Sequence, residues 1–218
     1  MPPTLPESVA RLGPYIPKPI KDLVPQRYKP ATAGAPNRAK PVIAALGTGG
    51  VGAEIGVWKG ELTKLFLRKC APHTLHLVDP WLFFEEADYA ESLYGGAVAR
   101  NQHDMDVIYQ QVERQYSAEV ASGQVQIHRA FSTDWAKGIP DDSLDWIYLD
   151  ADHTHDAVAA DLRAFYPKVK AGGIIAGDDY GTHAWFKDGV FSAVNEFVRT
   201  FDFNIELVYQ EQFVLRKV

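Results

Sequence analysis

Short apolar runs alternate along this chain with stretches in which apolar residues recur every three or four positions. The first run covers residues 51–57. Leu62, Leu65 and Phe66 then share one face of a helix over 61–69, at the spacing of an amphipathic helix. A second run, 75–78, ends at Asp79. The helix between the two runs has the length of a crossover, so the strands are expected to be parallel. Ile108, Val112, Tyr116 and Val120 recur every four residues and predict one helix over 104–120. Residues 125–129 form a third strand that ends near Phe131 and Ser132, and 146–149 a fourth that ends at Asp150. Val158, Leu162 and Phe165 mark the next helix, which stops before Gly172 and Gly173. A fifth strand, 174–176, ends at Gly177, Asp178 and Asp179. A helix over 190–201 follows, and 205–208 with 213–215 predict a closing antiparallel hairpin. This alternation predicts an α/β fold: a doubly wound, mostly parallel sheet covered on both faces, with a C-terminal antiparallel hairpin.

Composition narrows the class. The 218 residues are 46% apolar and 12% aromatic, which suits one packed domain, assigned here to 41–218. Residues 1–40 are punctuated by prolines from Pro2 to Pro36 and admit only short helices. They form a loosely packed arm, a lid over a substrate site or a homodimer contact, with Tyr15, Ile16, Leu23 and Tyr28 available for docking. A net charge of −6 argues against nucleic acid as a partner. No apolar run approaches the roughly 18 residues of a membrane span, and the start lacks the basic-then-apolar order of a signal peptide. The single cysteine, Cys70, reads as a packing residue in a reducing compartment, so a cytoplasmic protein is expected.

The polar residues bring in chemistry. Glu54, Asp79, Ser132, Asp150 and the pair Asp178 and Asp179 all fall at strand ends, where open α/β sheets bind ligands. Glu54 leads into Gly56, Val57, Trp58 and Gly60, a strand-to-helix turn whose glycines let backbone approach a ligand. An acid there repels a pyrophosphate and suits a ligand carrying a cation or hydroxyls. Asp79 stands where nucleoside-binding folds place the acid that accepts ribose hydroxyls. Asp150, Asp178 and Asp179 end neighbouring strands. Converging carboxylates repel one another, which a hard cation such as Mg²⁺ resolves; the other reading is that Asp178 or Asp179 caps the next segment. His153, three residues after Asp150, is placed to take a proton from a substrate hydroxyl. His155 and His183 are weaker candidates, and His73, His76, His103 and His128 look structural or exposed.

A rival glycine motif precedes this turn. Gly47, Gly49 and Gly52 match the dinucleotide fingerprint, with 42–46 as the strand before it, and so suggest a NAD-dependent oxidoreductase. That reading runs a helix through Gly56 and Gly60, at a cost of about 2 kcal/mol in propensity. A non-catalytic nucleoside-binding module is a third reading.

The ordered set Glu54, Gly56 and Gly60; Asp79, Pro80 and Trp81; Asp150 to His153; Lys170 to Gly173; and Asp178 to Tyr180 resembles class I S-adenosylmethionine-dependent methyltransferases. Within them it is most similar to macrocin-type sugar O-methyltransferases and, in layout, to metal-dependent catechol O-methyltransferases. The resemblance covers roughly residues 50–200 and implies a Rossmann-like fold. It implies that the turn from Gly56 through Val57 and Trp58 to Gly60 passes under the methionine part of S-adenosylmethionine, with Glu54 nearby. Asp79 would hold the ribose, and Phe131 and Ser132 would lie against adenine. Asp150, Asp178 and Asp179 match the metal ligands. His153 takes the spacing of the catechol enzymes' basic lysine, with Asp150 assisting. Trp58 replaces the middle glycine of the common loop, and Asp179 stands where the catechol enzymes carry Asn. The expected activity is methyl transfer to a hydroxyl of a small molecule, a sugar or a phenol. The aromatic stretch 81–94, the arm and the 180–185 loop are expected to shape the acceptor pocket.

Overall fold

The computed structural model describes residues 39–85, 94, 99–181 and 188–218. The proline-rich arm, most of the aromatic stretch after Phe84 and the loop containing His183 and Trp185 lie outside the described residues. The chain runs α1 (Lys40–Leu46), β1 (Val51–Ile55), α2 (Glu61–Lys69), β2 (Thr74–Asp79), α3 (Gln102–Gln115), α4 (Ser117–Ala121), β3 (Val125–Arg129), α5 (Ser132–Gly138), β4 (Leu144–Leu149), α6 (His155–Phe165), β5 (Val169–Gly177), α7 (Gly189–Thr200), β6 (Phe203–Tyr209) and β7 (Gln212–Lys217).

The strands form one seven-stranded sheet in the order β3-β2-β1-β4-β5-β7-β6. Pairings are parallel from β3 to β5 and antiparallel for β5 with β7 and β7 with β6. The doubly wound sheet with its closing hairpin is therefore as the alternation of patterns requires, and the hairpin extends beyond the expected runs at both strands. Each sheet face carries its own core. Ala53, Ile55, Ile147 and Ile175 meet α5, α6 and α7 through Trp135, Leu162 and Val194. Leu75, Leu77, Trp146 and Tyr148 meet α1, α2 and α3 through Val42, Phe66 and Ile108. The chain winds outward from β1 to β3, then returns to place β4 on the other side of β1. That reversal opens a crevice at the carboxyl ends of β1 and β4, where such sheets bind ligands.

Four differences from the sequence expectations matter. Residues 42–46 belong to helix α1, which has Pro41 in its first turn and buries Val42, Ile43 and Leu46. Gly47 to Gly50 thus sit at the amino end of β1, on the edge opposite the crevice. This overturns the dinucleotide reading, whose glycines must follow a strand. The helix expected over 104–120 breaks at Tyr116 (φ −107°), whose hydroxyl donates to the Gly60 carbonyl at 2.5 Å, and Val120 is left exposed. Helix α5 was not anticipated; its seven residues bury only Trp135 and Ala136, too few for a visible period. Strand β5 runs through Gly172 and Gly173 instead of starting after them, with a register irregularity opposite Leu144 and Trp146.

Candidate active site

The strand ladder delivers the polar residues to one line. Extending the observed register by one residue sets Asp79, Gly56, Asp150, Asp178 and Gln212 side by side across five strands. Backbone bonds continue into this line: Gly56 N–H donates to Val78 at 2.9 Å, Asp150 N–H to Ile55 at 2.8 Å and Asp178 N–H to Leu149 at 3.1 Å. Gly56 is fixed by space. A Cβ there would stand 2.0 Å from the Asp150 carbonyl oxygen, and its φ is +87°. Gly60 (φ +72°) opens α2 beside the Tyr116 ring.

Asp79 holds the glycine turn. Its Oδ2 accepts the N–H groups of Val57 at 3.0 Å and Trp58 at 2.9 Å. Its Oδ1 accepts the N–H of Trp81 at 2.7 Å and the Tyr94 hydroxyl at 2.6 Å. Burial pushes this carboxyl above its usual range, against those four bonds. Trp81 completes the staple: its indole N–H donates to the Trp58 carbonyl at 2.9 Å, and Arg129 and Gln102 donate to its own carbonyl at 3.0 and 2.9 Å. Trp81 is wholly buried against Tyr109, so it is a core side chain and not a wall of the acceptor pocket.

Glu54 lies two residues before Gly56 on β1, is 1% exposed, and accepts the Thr63 hydroxyl at 2.5 Å. Burial, then the charges of Asp150 and Asp79, push it up to about 8 despite the Thr63 bond. Since this folded value exceeds the unfolded one, the stabilising contribution is complete below about pH 4.5 and is lost as pH rises through about 8. Glu54→Gln is therefore expected to flatten the dependence of the urea midpoint on pH between about 5 and 8. An unchanged slope over that window would assign it to other groups.

Asp150, His153 and Asp179 come together, with one ligating atom from each lying within 4.8 Å of the others. His153 Nε2 is 3.4 Å from Asp150 Oδ1, and its Nδ1 is 3.2 Å from Asp179 Oδ2. Burial lowers the basicity of this imidazole, but Asp150, Asp179 and Asp178 outweigh burial and raise it. Two carboxylates and an imidazole make a donor set that suits a divalent cation. Asp179 reaches the group from a left-handed backbone (φ +57°), which Asp tolerates better than most residues. Asp178 is beside the group; its Oδ1 accepts the Asp179 N–H at 2.8 Å and so fixes the turn. A small cavity beneath the loop is lined by Ala151, Asp152, His153, Asp161, Asp178 and Phe213.

Phe131 is 47% exposed at the end of β3. Ser132, next to it, starts α5 and donates to Asp161 of α6. His155 is on the helix surface with Asp156 and Glu196 at 2.9 and 3.2 Å, away from the cluster. His76 and His128 share a 3.0 Å hydrogen bond beside Trp135, and burial pushes His76 down to about 4, so this pair is structural. Cys70 is buried, and burial pushes its thiol up to about 11, which removes it as a nucleophile. Among the described residues no helix is long and apolar enough to cross a membrane.

Sequence reasoning missed Thr63, Tyr116, Asp161 and Gln212. Asp161 left a signal, since it sits on the apolar face of α6 between Val158 and Leu162. Gln212, whose amide donates to the Tyr148 hydroxyl at 2.6 Å, left none, because its place in the line depends on β7 lying beside β5.

A family model described as a methyltransferase domain matches residues 53–180, more than half of the chain. No curated protein matches. Solved structures supply fold relatives. One is a candidate S-adenosyl-L-methionine-dependent methyltransferase from Methanococcus maripaludis, with 13% identity, 82% of each chain covered and a TM-score of 0.52. Another is a candidate caffeoyl-CoA O-methyltransferase from Staphylococcus aureus, with 13% identity, 78% of this chain and 76% of that one covered, and a TM-score of 0.50. The 1,6-didemethyltoxoflavin-N1-methyltransferase of Burkholderia thailandensis, solved with S-adenosylhomocysteine, has 12% identity, 83% and 75% coverage and a TM-score of 0.51.

Proposed function

This chain belongs to the methyltransferase domain family and is an S-adenosylmethionine-dependent methyltransferase, and from that premise we propose that it methylates a hydroxyl of a small molecule with the help of a divalent cation. The observation that carries this reading is the convergence of Asp150, His153 and Asp179 at the crevice, one residue across from Gly56. Among the described residues this is the one group of metal-ligating side chains, and it lies where the glycine turn would present the cofactor.

The chain's own residues set up the transfer. The turn from Gly56 to Gly60, held by Asp79 and Trp81, gives the cofactor a rigid floor. Asp150 abuts that floor through its backbone and faces His153 through its carboxylate, so it links the cofactor side of the crevice to the acceptor side. His153, set between Asp150 and Asp179, is the group placed to accept the acceptor's hydroxyl proton at a ring nitrogen, in its neutral form. Phe131 offers an exposed ring at the end of β3 for the adenine. Bound S-adenosylmethionine would supply an electrophilic methyl group, and a cation held by the carboxylates of Asp150 and Asp179 beside His153, probed as Mg²⁺, would supply electrostatic stabilisation for charge that develops on the oxygen. Catalysis then rests mainly on alignment of oxygen and methyl. An acceptor rich in hydroxyls, a sugar or a phenol, suits the acidic line.

Transfer of labelled methyl from S-adenosylmethionine to panels of sugars and phenols, with Mg²⁺ and with a chelator, tests the reading. Product on a hydroxyl acceptor that disappears on chelation is the expected result. Transfer that persists in chelator would remove the cation, and transfer confined to amine acceptors would remove the hydroxyl.

A further inference from the structure

We infer that Lys59, held over the Trp58 ring, receives the carboxylate of the amino-acid arm of S-adenosylmethionine; the inference rests on the cofactor reading above.

Most of the backbone donors of the glycine turn are already committed. The N–H groups of Val57 and Trp58 are both committed to Asp79, and that of Gly60 goes to the Val57 carbonyl at 2.8 Å. The side chains around the turn are acidic: Glu54, Asp79 and Asp150. None of them offers a positive charge to the carboxylate of a zwitterionic arm. A cation is needed, and the turn contains one. Lys59 is half-buried, its ammonium lies 4.3 Å from the centroid of the Trp58 ring, and among the described residues no carboxylate is within ion-pairing distance of it. Cation–π contact leaves the three N–H donors of the ammonium free to meet an anion.

A second observation points the same way. The Trp58 indole N–H is buried and has no acceptor among the described residues. Two donors on consecutive residues thus lack an acceptor, on the turn that faces the crevice. An orphaned buried donor is costly, and a carboxylate has two oxygens with which to answer both groups. Trp58 also holds a left-handed backbone (φ +48°) that bulky residues avoid. Strain of this kind persists where the side chain's position is in use. Lys59 is here a binding residue for the cofactor arm and takes no part in the methyl transfer itself.

The test compares S-adenosylhomocysteine with its decarboxylated analogue by calorimetry, on the full chain and on Lys59→Met and Lys59→Arg. Wild type should prefer the carboxylated ligand on the order of tenfold, the scale of one charge-assisted bond at a half-exposed site. Lys59→Met should lose that preference by binding S-adenosylhomocysteine about tenfold more weakly while the analogue's Kd stays within about twofold. Lys59→Arg should restore most of it. If Lys59→Met weakens both ligands equally, or neither, the carboxylate lies elsewhere and the inference is overturned. A wild type that binds both ligands equally overturns it while leaving the cofactor reading intact. A wild type that binds neither removes the cofactor reading, and this inference with it.

Discussion

Asp179→Ala is expected to lower kcat/KM by about a thousandfold while leaving the Kd for S-adenosylhomocysteine within about threefold, on the premise that the carboxylate cluster holds a catalytic cation. The asymmetry follows from position. Asp179 touches His153 at 3.2 Å, on the acceptor side of the crevice, and follows the strand two places from the one that leads into the glycine turn. Removing it takes one of two carboxylates from the cluster and one of the charges that raise His153. Because Asp179 sits at φ +57°, alanine also strains the turn, so Asp179→Asn is the companion variant. Asparagine accepts this backbone and keeps an oxygen. It should retain part of the activity and need more Mg²⁺ for half-maximal rate. Addition of chelator to Asp179→Ala should cost little more, since residues that act as a unit are not additive. Full activity in Asp179→Ala would exclude the cluster from the reaction.

Gly56→Ala should destabilise the fold by about 4 kcal/mol or more, at the upper end of single-residue effects. The new Cβ would lie 2.0 Å from the Asp150 carbonyl oxygen and 2.7 Å from the Ala151 Cα, all of it backbone that cannot rotate away. β1 and β4 would have to separate at their carboxyl ends, where the Asp150 N–H holds Ile55 at 2.8 Å. Gly123→Ala is the matched control. Its φ is +81°, but nothing lies within 4 Å of its Cβ, so it bears only the penalty of a positive φ, about 1–2 kcal/mol. Chemical denaturation of the two variants gives the comparison. Equal losses would mean that the close approach of Gly56 to Asp150 has no energetic weight.

The contrast between these glycines also shows where the sequence was readable. Helix 61–69 and strand 125–129 have the bounds expected from their patterns, because each has one clear period. The segment 42–46 was ambiguous: five apolar or small residues fit a buried strand or a short helix equally well, and periodicity cannot separate them. Contacts with β7 and β5, far along the chain, decide for the helix. Glycines 172 and 173 suggested an end to structure, yet the sheet carries the strand through them because neighbouring backbone passes close: a Cβ on Gly173 would stand 2.9 Å from the Asp145 carbonyl.

The candidate site was legible as a set of acids at strand ends and no further. Position along a strand says that Asp79 faces the crevice edge. It does not say that its oxygens turn back to four donors of the protein itself. Nor does spacing decide between Asp178 and Asp179. That choice depends on the left-handed turn at Asp179, which aims one carboxylate at His153 and leaves the other to hold the turn. Lys59 was invisible for a related reason. A lysine in a polar loop is ordinary until the acids around it have all been assigned other partners.

The staple formed by Asp79 and Trp81 bears on the thermodynamics of ligand capture. A loop that must order itself around an incoming molecule loses conformational freedom at that moment, about 1–2 kcal/mol for each residue fixed. Here the glycine turn is already fixed by bonds that involve no ligand, so that entropy is lost on folding, not on binding. The protein in this state behaves as a mould, not a glove. The same rigidity limits what the turn can accept: a cofactor with a longer or shorter amino-acid arm meets a floor that does not adjust, and discrimination between such ligands falls to geometry and not to affinity for the shared nucleoside.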